Sequence, residues 1–105
     1  MYRFKVNKGK FAKMITKIRK FGASWCGPCK KLTETLEGID IPVQEVDIEE
    51  DIALTEQYKI QSVPTLHFLD ENDNIVETSV GNITRNAILT IIERNKDKDG
   101  TKEEN

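Results

Sequence analysis

A pair of cysteines, placed where one sequence pattern gives way to another, most restricts how this 105-residue chain can fold. The residues from Ile15 to Gly22 are predicted to form a strand. Apolar residues then recur at helical spacing from Cys29 to Leu36, which predicts a helix. Cys26 and Cys29 therefore stand at a predicted strand-to-helix junction, separated by Gly27 and Pro28. Proline favours this junction because the first turn of a helix needs no N–H from it and its φ is already close to helical.

Two thiols in the first turn of a helix are well placed to exchange between dithiol and disulfide. Residues three apart on a helix have Cβ atoms about 5–6 Å apart, which is close enough for a disulfide after modest adjustment. The unpaired N–H groups and the dipole of the helix favour a thiolate there, and Lys30 and Lys31 add positive potential. Two alternatives stay open. The pair could be half of a metal site completed by a second subunit, or a structural disulfide, although its short loop would remove little entropy from the unfolded chain.

The rest of the chain alternates predicted strands and helices. The predicted strands are Tyr2–Val6, Ile15–Gly22, Pro42–Ile48, Pro64–Leu69 and Ile75–Val80. The first helix is predicted to end at Gly38, and two further helices are predicted to be capped by Asp51 and Thr84, with a hairpin turn over residues 71–74. This order requires a mixed sheet covered by helices, which is an α/β fold.

Composition and charge restrict the domain organisation and the partners. From Glu93 onward the chain has nine charged residues and no apolar one, so we expect one domain over residues 1–95 and a charged, disordered tail over 96–105. Residues 1–31 hold ten Lys or Arg and no acid. No nucleic-acid motif accompanies this basic block, so we expect it to pair with acidic residues of a neighbouring strand rather than with nucleic acid.

Several classes of protein are not supported by the sequence. No apolar run approaches the roughly 20 residues that span a bilayer, and residues 1–6 lack the apolar block of a secretory signal. We therefore expect a cytoplasmic monomer without membrane association. The lone His67 and two cysteines leave no four-ligand zinc set of the common Cys/His kind within one chain, so no metal is expected. We also expect no cofactor, and His67 is expected to be structural or exposed.

The run Trp25-Cys26-Gly27-Pro28-Cys29 resembles the active-site motif of the thioredoxin family. Three other segments are similar to family elements: Phe21-Gly22-Ala23-Ser24 before the motif, Val63-Pro64-Thr65, whose proline is cis in the family, and Val80-Gly81 beside the substrate groove. The resemblance covers residues 15 to 95 and implies a thioredoxin-like fold, with a central mixed sheet flanked by helices. The N-terminal part is shorter than in the family, so its first helix is expected to be reduced or missing.

The resemblance implies a thiol-disulfide oxidoreductase that reduces protein disulfides. Cys26 would be the exposed nucleophile that forms a mixed disulfide with a client protein, and Cys29 the buried thiol that resolves it. In the family, Gly-Pro between the cysteines accompanies reducing members. The implied partners are disulfide-containing client proteins and a thioredoxin reductase-like enzyme that recharges the dithiol. The alternative is a binding subunit of a larger complex, which would use the same surface without redox turnover.

The resemblance also implies a groove for the client chain. The backbone of Val63 would pair with the client as an added strand. The residues that would border the groove are Trp25, Pro64 and Gly81. Each has a plainer alternative: Pro64 could be an ordinary trans proline at the start of a strand, Gly81 could end a strand, and Trp25 could be a partly buried aromatic side chain.

Two positions depart from the family pattern. Thioredoxins generally have a buried acid five residues ahead of the tryptophan of the motif and a lysine on the adjacent strand. Lys20 and Glu45 occupy these positions here. We expect a sign-reversed, partly buried pair beneath Cys29, with Glu45 accepting or relaying its proton, because burying either charge alone is costly. The alternative is that Lys20 extends to solvent.

Overall fold

A computed structural model describes residues 14–96, which form one mixed sheet and three helices. The elements in chain order are β1 (Lys17–Gly22), α1 (Gly27–Leu36), β2 (Val43–Asp47), α2 (Ile52–Gln57), β3 (Thr65–Leu69), β4 (Ile75–Val80) and α3 (Arg85–Lys96). The strand order is β2-β1-β3-β4; β1 and β2 are parallel, and the other two pairs are antiparallel. The predicted α/β architecture is confirmed. The predicted strand Tyr2–Val6, the reduced first helix and residues 97–105 of the predicted tail lie outside the described residues.

The main core lies between one face of the sheet and helices α1 and α3. It consists of fully or almost fully buried side chains from both layers, namely Ile15, Ile18, Leu32, Leu36, Leu66, Phe68 and Ile88. Strand residues two apart point to the same face, and helix residues three or four apart share a stripe, so each element contributes one apolar side to this core. Among residues 14–96, none of the helices has the length and apolar character that crossing a bilayer would require.

The ends of the helices and strands follow local rules that the sequence predicts well. Asp51 Oδ1 accepts the Leu54 N–H at 3.0 Å, so the predicted cap of α2 is confirmed. Thr84 Oγ1 accepts the Ala87 N–H at 3.1 Å and caps α3 in the same way.

Several boundaries differ slightly from the prediction; β2 spans Val43–Asp47 rather than Pro42–Ile48, and β3 begins at Thr65 rather than Pro64. Strand β1 begins at Lys17 rather than Ile15, because its antiparallel partner β3 ends at Leu69, directly opposite Lys17. Helix α1 ends at Leu36, and Gly38 follows with φ of +78°, a conformation that favours glycine just after a helix.

A buried aspartate organises the hairpin between β3 and β4, and sequence analysis did not single it out. The Asp70 carboxylate accepts the N–H groups of Asn72 and Asn74 at 2.8 and 2.9 Å. The side chain of Asp70, the residue just before the predicted turn over residues 71–74, therefore stabilises that turn. Asp73 in this turn also pairs with Lys17 at 2.8 Å, so this member of the basic block has an acidic partner within the fold, in a turn rather than on a neighbouring strand.

The second face of the sheet carries a cluster of rings around His67. The ring centroids of Phe21 and Tyr58 lie 5.0 and 5.2 Å from that of His67, in edge-to-face arrangements. His67 is buried, and Arg19 lies beside it on β1 and over the Tyr58 ring. Burial, and secondarily the positive charge of Arg19, lower the pKa of His67 below its ordinary value of 6.5. Of the two expected environments for His67, structural or exposed, the structure shows the structural one, because its ring is buried.

We expect His67 to make the fold sensitive to mild acid. Because the pKa is lower in the folded chain, the unfolded chain binds more protons once the pH falls below 6.5. The stability that the neutral ring provides is therefore complete above this pH and is lost as the pH falls towards the folded-state pKa. The measurement is the free energy of unfolding in urea at several pH values. In His67→Phe, which keeps a ring against Phe21 and Tyr58, the decline should be smaller; equal declines in both chains would contradict this assignment.

Candidate active site

The two cysteines form a disulfide across the first turn of α1, at the junction that the sequence predicts. Their Cα atoms lie 5.3 Å apart. Strand β1 ends at Gly22, Cys26 is the N-cap residue, and the helix begins at Gly27 with Pro28 in its first turn. The Cys29 N–H donates to Cys26 Sγ at 3.1 Å. A sulfur that accepts a helix N–H is stabilised when it carries negative charge, so this position favours a thiolate at Cys26 after reduction.

Both sulfur-bearing residues are buried in this oxidised form. Cys26 is 4% exposed and Cys29 2% exposed, and both pack with Ala23. The expected exposure of Cys26 is therefore not found, because its sulfur is bonded to Cys29 and covered by the turn that leads into the helix. The neighbours Trp25, Gly27 and Pro28 are exposed, so approach to the disulfide is from their side.

The segment around Pro64 lies against the cysteines. Val63 packs on the cluster of Ala23, Cys26 and Cys29. The Val63–Pro64 peptide bond is cis, so the alternative of an ordinary trans proline is wrong. Gly81 has φ of +88° and donates its N–H to the Pro64 carbonyl at 2.8 Å, so two of the predicted groove elements are joined directly.

The tryptophan of the motif is oriented by a hydrogen bond from its indole ring. Trp25 is 63% exposed, which excludes the alternative of a partly buried aromatic, and its Nε1–H donates to Glu49 at 2.8 Å. Sequence analysis missed Glu49. An acidic residue two positions after β2 carries no local signal for a contact with a residue 24 positions away.

The sign-reversed pair is present. Lys20 and Glu45 are direct neighbours across the parallel strands β1 and β2, and Lys20 Nζ donates to Glu45 Oε1 at 3.0 Å. The Lys20 side chain is only 4% exposed, whereas that of Glu45 is 59% exposed. The alternative in which Lys20 extends to solvent is therefore wrong, and Glu45 is the member of the pair that reaches solvent.

A cavity of about 380 Å³ opens beside Cys29. Its lining includes Cys29, the Lys20–Glu45 pair and further charged residues, namely Lys30, Asp47 and Glu50. Gly22 also lines it, and a Cβ at that position would lie only 3.3 Å from Cys29 Sγ. The absence of a side chain at Gly22 therefore keeps the space between β1 and the sulfur open. The signal in the sequence was a glycine at the end of a buried strand.

No metal-binding arrangement accompanies the cysteines within residues 14–96. The two sulfurs are bonded to each other, and no three His, Cys, Asp or Glu side chains of the described part of the chain come together as ligands would. The chemistry that the site supports is exchange between a disulfide and two thiols.

Comparison with known proteins agrees with this chemistry. A family model described as thioredoxin matches residues 3–94 of the chain. This chain belongs to the thioredoxin family. A thioredoxin of Chlamydia trachomatis is 36% identical over 81 residues, which are 72% of this chain and 78% of that protein. A thioredoxin of Bacillus subtilis is 32% identical over 80 residues, 70% of this chain and 76% of that protein.

Solved structures of thioredoxins share the fold as well. A mutant thioredoxin from Halobacterium salinarum superposes with a TM-score of 0.69 at 32% identity, covering 77% of this chain and 74% of that one. Family membership and the cysteine pair at disulfide distance make the chain a thiol-disulfide oxidoreductase. Thioredoxins act on disulfide substrates and are recharged by reductases, and these are the kinds of partner that this chain has.

Proposed function

We propose that this thioredoxin is a protein-disulfide reductase in which Cys26 is the nucleophile and Cys29 the resolving thiol. The observation that carries the assignment is the hydrogen bond from the Cys29 N–H to Cys26 Sγ at the start of α1. It favours negative charge on the Cys26 sulfur, whereas Cys29 lies one helical turn on and supplies the N–H. The thioredoxin relatives and the Gly27-Pro28 dipeptide support the reducing direction.

The proposed reaction proceeds in two exchanges. The Cys26 thiolate attacks one sulfur of a client disulfide, the second client sulfur leaves as a thiolate, and a mixed disulfide forms. Cys29 then attacks Cys26 Sγ, the first client sulfur leaves, and the Cys26–Cys29 disulfide is restored. The client gains two electrons and two protons, and a thioredoxin reductase-like enzyme returns two electrons to the cysteine pair. Gly27 and Pro28 support the step by keeping both sulfurs in one helical turn.

The proposed client groove lies over Val63 and between the exposed residues on either side of the disulfide. The Val63 backbone would pair with an extended client segment. Gly81 forms one border and is held by its hydrogen bond to Pro64, whose side chain is fully buried beneath it, and Trp25, oriented by Glu49, forms the other. The exposed side chains of Trp25 and Val80 supply apolar surface that a bound client would cover.

The wider setting of the protein follows from this proposal. A reductase needs a compartment that keeps dithiols reduced, so we propose that the chain works in the cytoplasm. We also propose that it is a monomer and that it does not bind nucleic acid. The proposed domain covers residues 1–95 with a charged tail over 96–105. Helix α3 extends to Lys96, which supports a boundary close to residue 95.

The test is catalysis of insulin reduction with dithiothreitol as the electron source, together with the reduction potential of the pair. We expect reduction well above the uncatalysed rate and a potential near −270 mV rather than near −120 mV, the value of a strong oxidant. A potential near −120 mV would contradict the reducing direction. Absence of any catalysis would contradict the proposed reductase activity and would favour the alternative, a binding subunit without redox turnover.

A further inference from the structure

The feature that the established chemistry does not use is a cation buried beside the resolving cysteine. Lys20 shares a strand face with Ile18 and Gly22, and this face is directed towards the core. An ammonium group is seldom buried this completely, because leaving water is costly unless a partner compensates. Glu45 provides one hydrogen bond but is itself largely in solvent, so it does not require Lys20 to be inside.

The ammonium group lies within electrostatic reach of the Cys29 sulfur. A Cβ at Gly22 would be 3.3 Å from Cys29 Sγ and 3.7 Å from Lys20 Nζ. The two atoms are therefore at most about 7 Å apart, a distance at which unit charges interact appreciably at the edge of a protein interior. Because Gly22 has no side chain, nothing from that position stands between them.

Other charged groups face the same cavity, but each is more exposed to water than Lys20. They are Lys30 on α1, Glu45 and Asp47 on β2, and Glu50 after β2. Solvent and salt screen the interactions of exposed charges with Cys29 more strongly than those of a buried one. Lys20 is consequently the charge on this cavity whose interaction with Cys29 is screened least by solvent.

We propose that Lys20 is a positioning residue for the resolving step, in which its buried ammonium group stabilises the Cys29 thiolate and Glu45 holds that ammonium group in place. The inference rests on the proposed reductase reaction. In the step concerned, the Cys29 thiol gives its proton to solvent, and its thiolate forms the bond to Cys26 Sγ. The bond between Cys26 and the client breaks, and the client thiolate takes up a proton. Cys29 is oxidised as the client sulfur is reduced, so the electrons balance.

The experiment separates the two exchanges by stopped-flow reaction of the reduced protein with 5,5′-dithiobis(2-nitrobenzoate). Attack by Cys26 releases the first thionitrobenzoate at a rate that depends on reagent concentration. Attack by Cys29 on the mixed disulfide releases the second at a rate that does not. The second rate, followed from pH 5 to pH 10, reports the protonation state of Cys29 alone.

In Lys20→Met we expect the midpoint of the second rate to move to higher pH by about one unit, since a nearby opposite charge is lost. A more basic thiolate is scarcer at low pH but more nucleophilic where it is formed, with a Brønsted slope of about 0.4–0.5. The second rate should therefore fall about threefold below the midpoint and rise about threefold at high pH. Merely weakened packing would not produce this crossing of the two profiles. An unchanged profile would overturn the proposal.

The variant Glu45→Gln gives the opposite sign and does not depend on the folding of Lys20→Met. It leaves the ammonium group without its counter-charge, so the midpoint should move to lower pH and the low-pH rate should rise. If Glu45 instead takes the proton from Cys29, the low-pH rate falls, and the proposal is overturned. Glu50→Gln, which removes an exposed acid from the same cavity, should leave the midpoint in place. Catalysis of insulin reduction by the unmodified chain and by Glu50→Gln tests the proposed reductase function separately from these shifts of the second phase.

Discussion

Replacing Cys26 with serine is expected to reduce insulin reduction to the uncatalysed rate, a loss of at least about a thousandfold. A serine hydroxyl cannot form the mixed disulfide, and the helix N–H that stabilises the attacking thiolate is directed at the side chain of residue 26, so Cys29 does not take over the first attack. The measurement is the rate of insulin precipitation with dithiothreitol as the electron source. Substantial residual turnover in Cys26→Ser would contradict the assignment of Cys26 as nucleophile.

Cys29→Ser is the matched control because it removes the second sulfur of the same turn. Cys26 can still attack a client, but resolution is lost, so client proteins should accumulate on the variant as mixed disulfides. Non-reducing electrophoresis should show these adducts, and dithiothreitol should release them. Partners that stay bound after dithiothreitol treatment, with no covalent adducts, would favour the binding subunit over the reductase.

Truncation of Ile88 should cause the largest loss of stability along α3. Its side chain is fully buried in the main core, whereas that of the next residue, Leu89, is 42% exposed. We expect Ile88→Ala to lower the free energy of unfolding by about 2–5 kcal/mol, a large part of the total of about 5–15 kcal/mol for a domain of this kind.

Leu89→Ala removes a side chain of similar size from the same helix, one position away. Its expected cost is below about 1 kcal/mol, because the site is already in contact with water. Urea unfolding of both variants measures the difference. Equal losses would show that α3 does not pack against the sheet through Ile88.

The parts of the fold that the sequence predicts are those decided by neighbouring residues. The strand ending near Gly22, the helix after Cys26 and the caps at Asp51 and Thr84 depend on interactions within a few positions. The pair of Lys20 and Glu45 was also predictable, because two departures from one family pattern pointed to each other.

The features that the sequence did not predict depend on contacts between distant segments. Glu49 reaches Trp25 across a chain separation of 24 residues. The burial of His67 follows from Phe21 on β1 and Tyr58 at the end of α2, neither of which is adjacent to it in the chain. The low exposure of Cys26 accompanies its bond to Cys29 and the packing of the distant Val63 on the same cluster.

The placement of Lys20 directly beside Glu45 also restricts how this site can change between generations. A single nucleotide substitution converts a lysine codon to a glutamate codon, or the reverse. Either change alone would put two like charges side by side across β1 and β2, one of them buried, at a cost of about 3–5 kcal/mol for the unpaired buried charge. A direct reversal of one sign is therefore unfavourable, and the two charges are exchanged at lower cost through a neutral residue such as glutamine, which is one nucleotide from both lysine and glutamate.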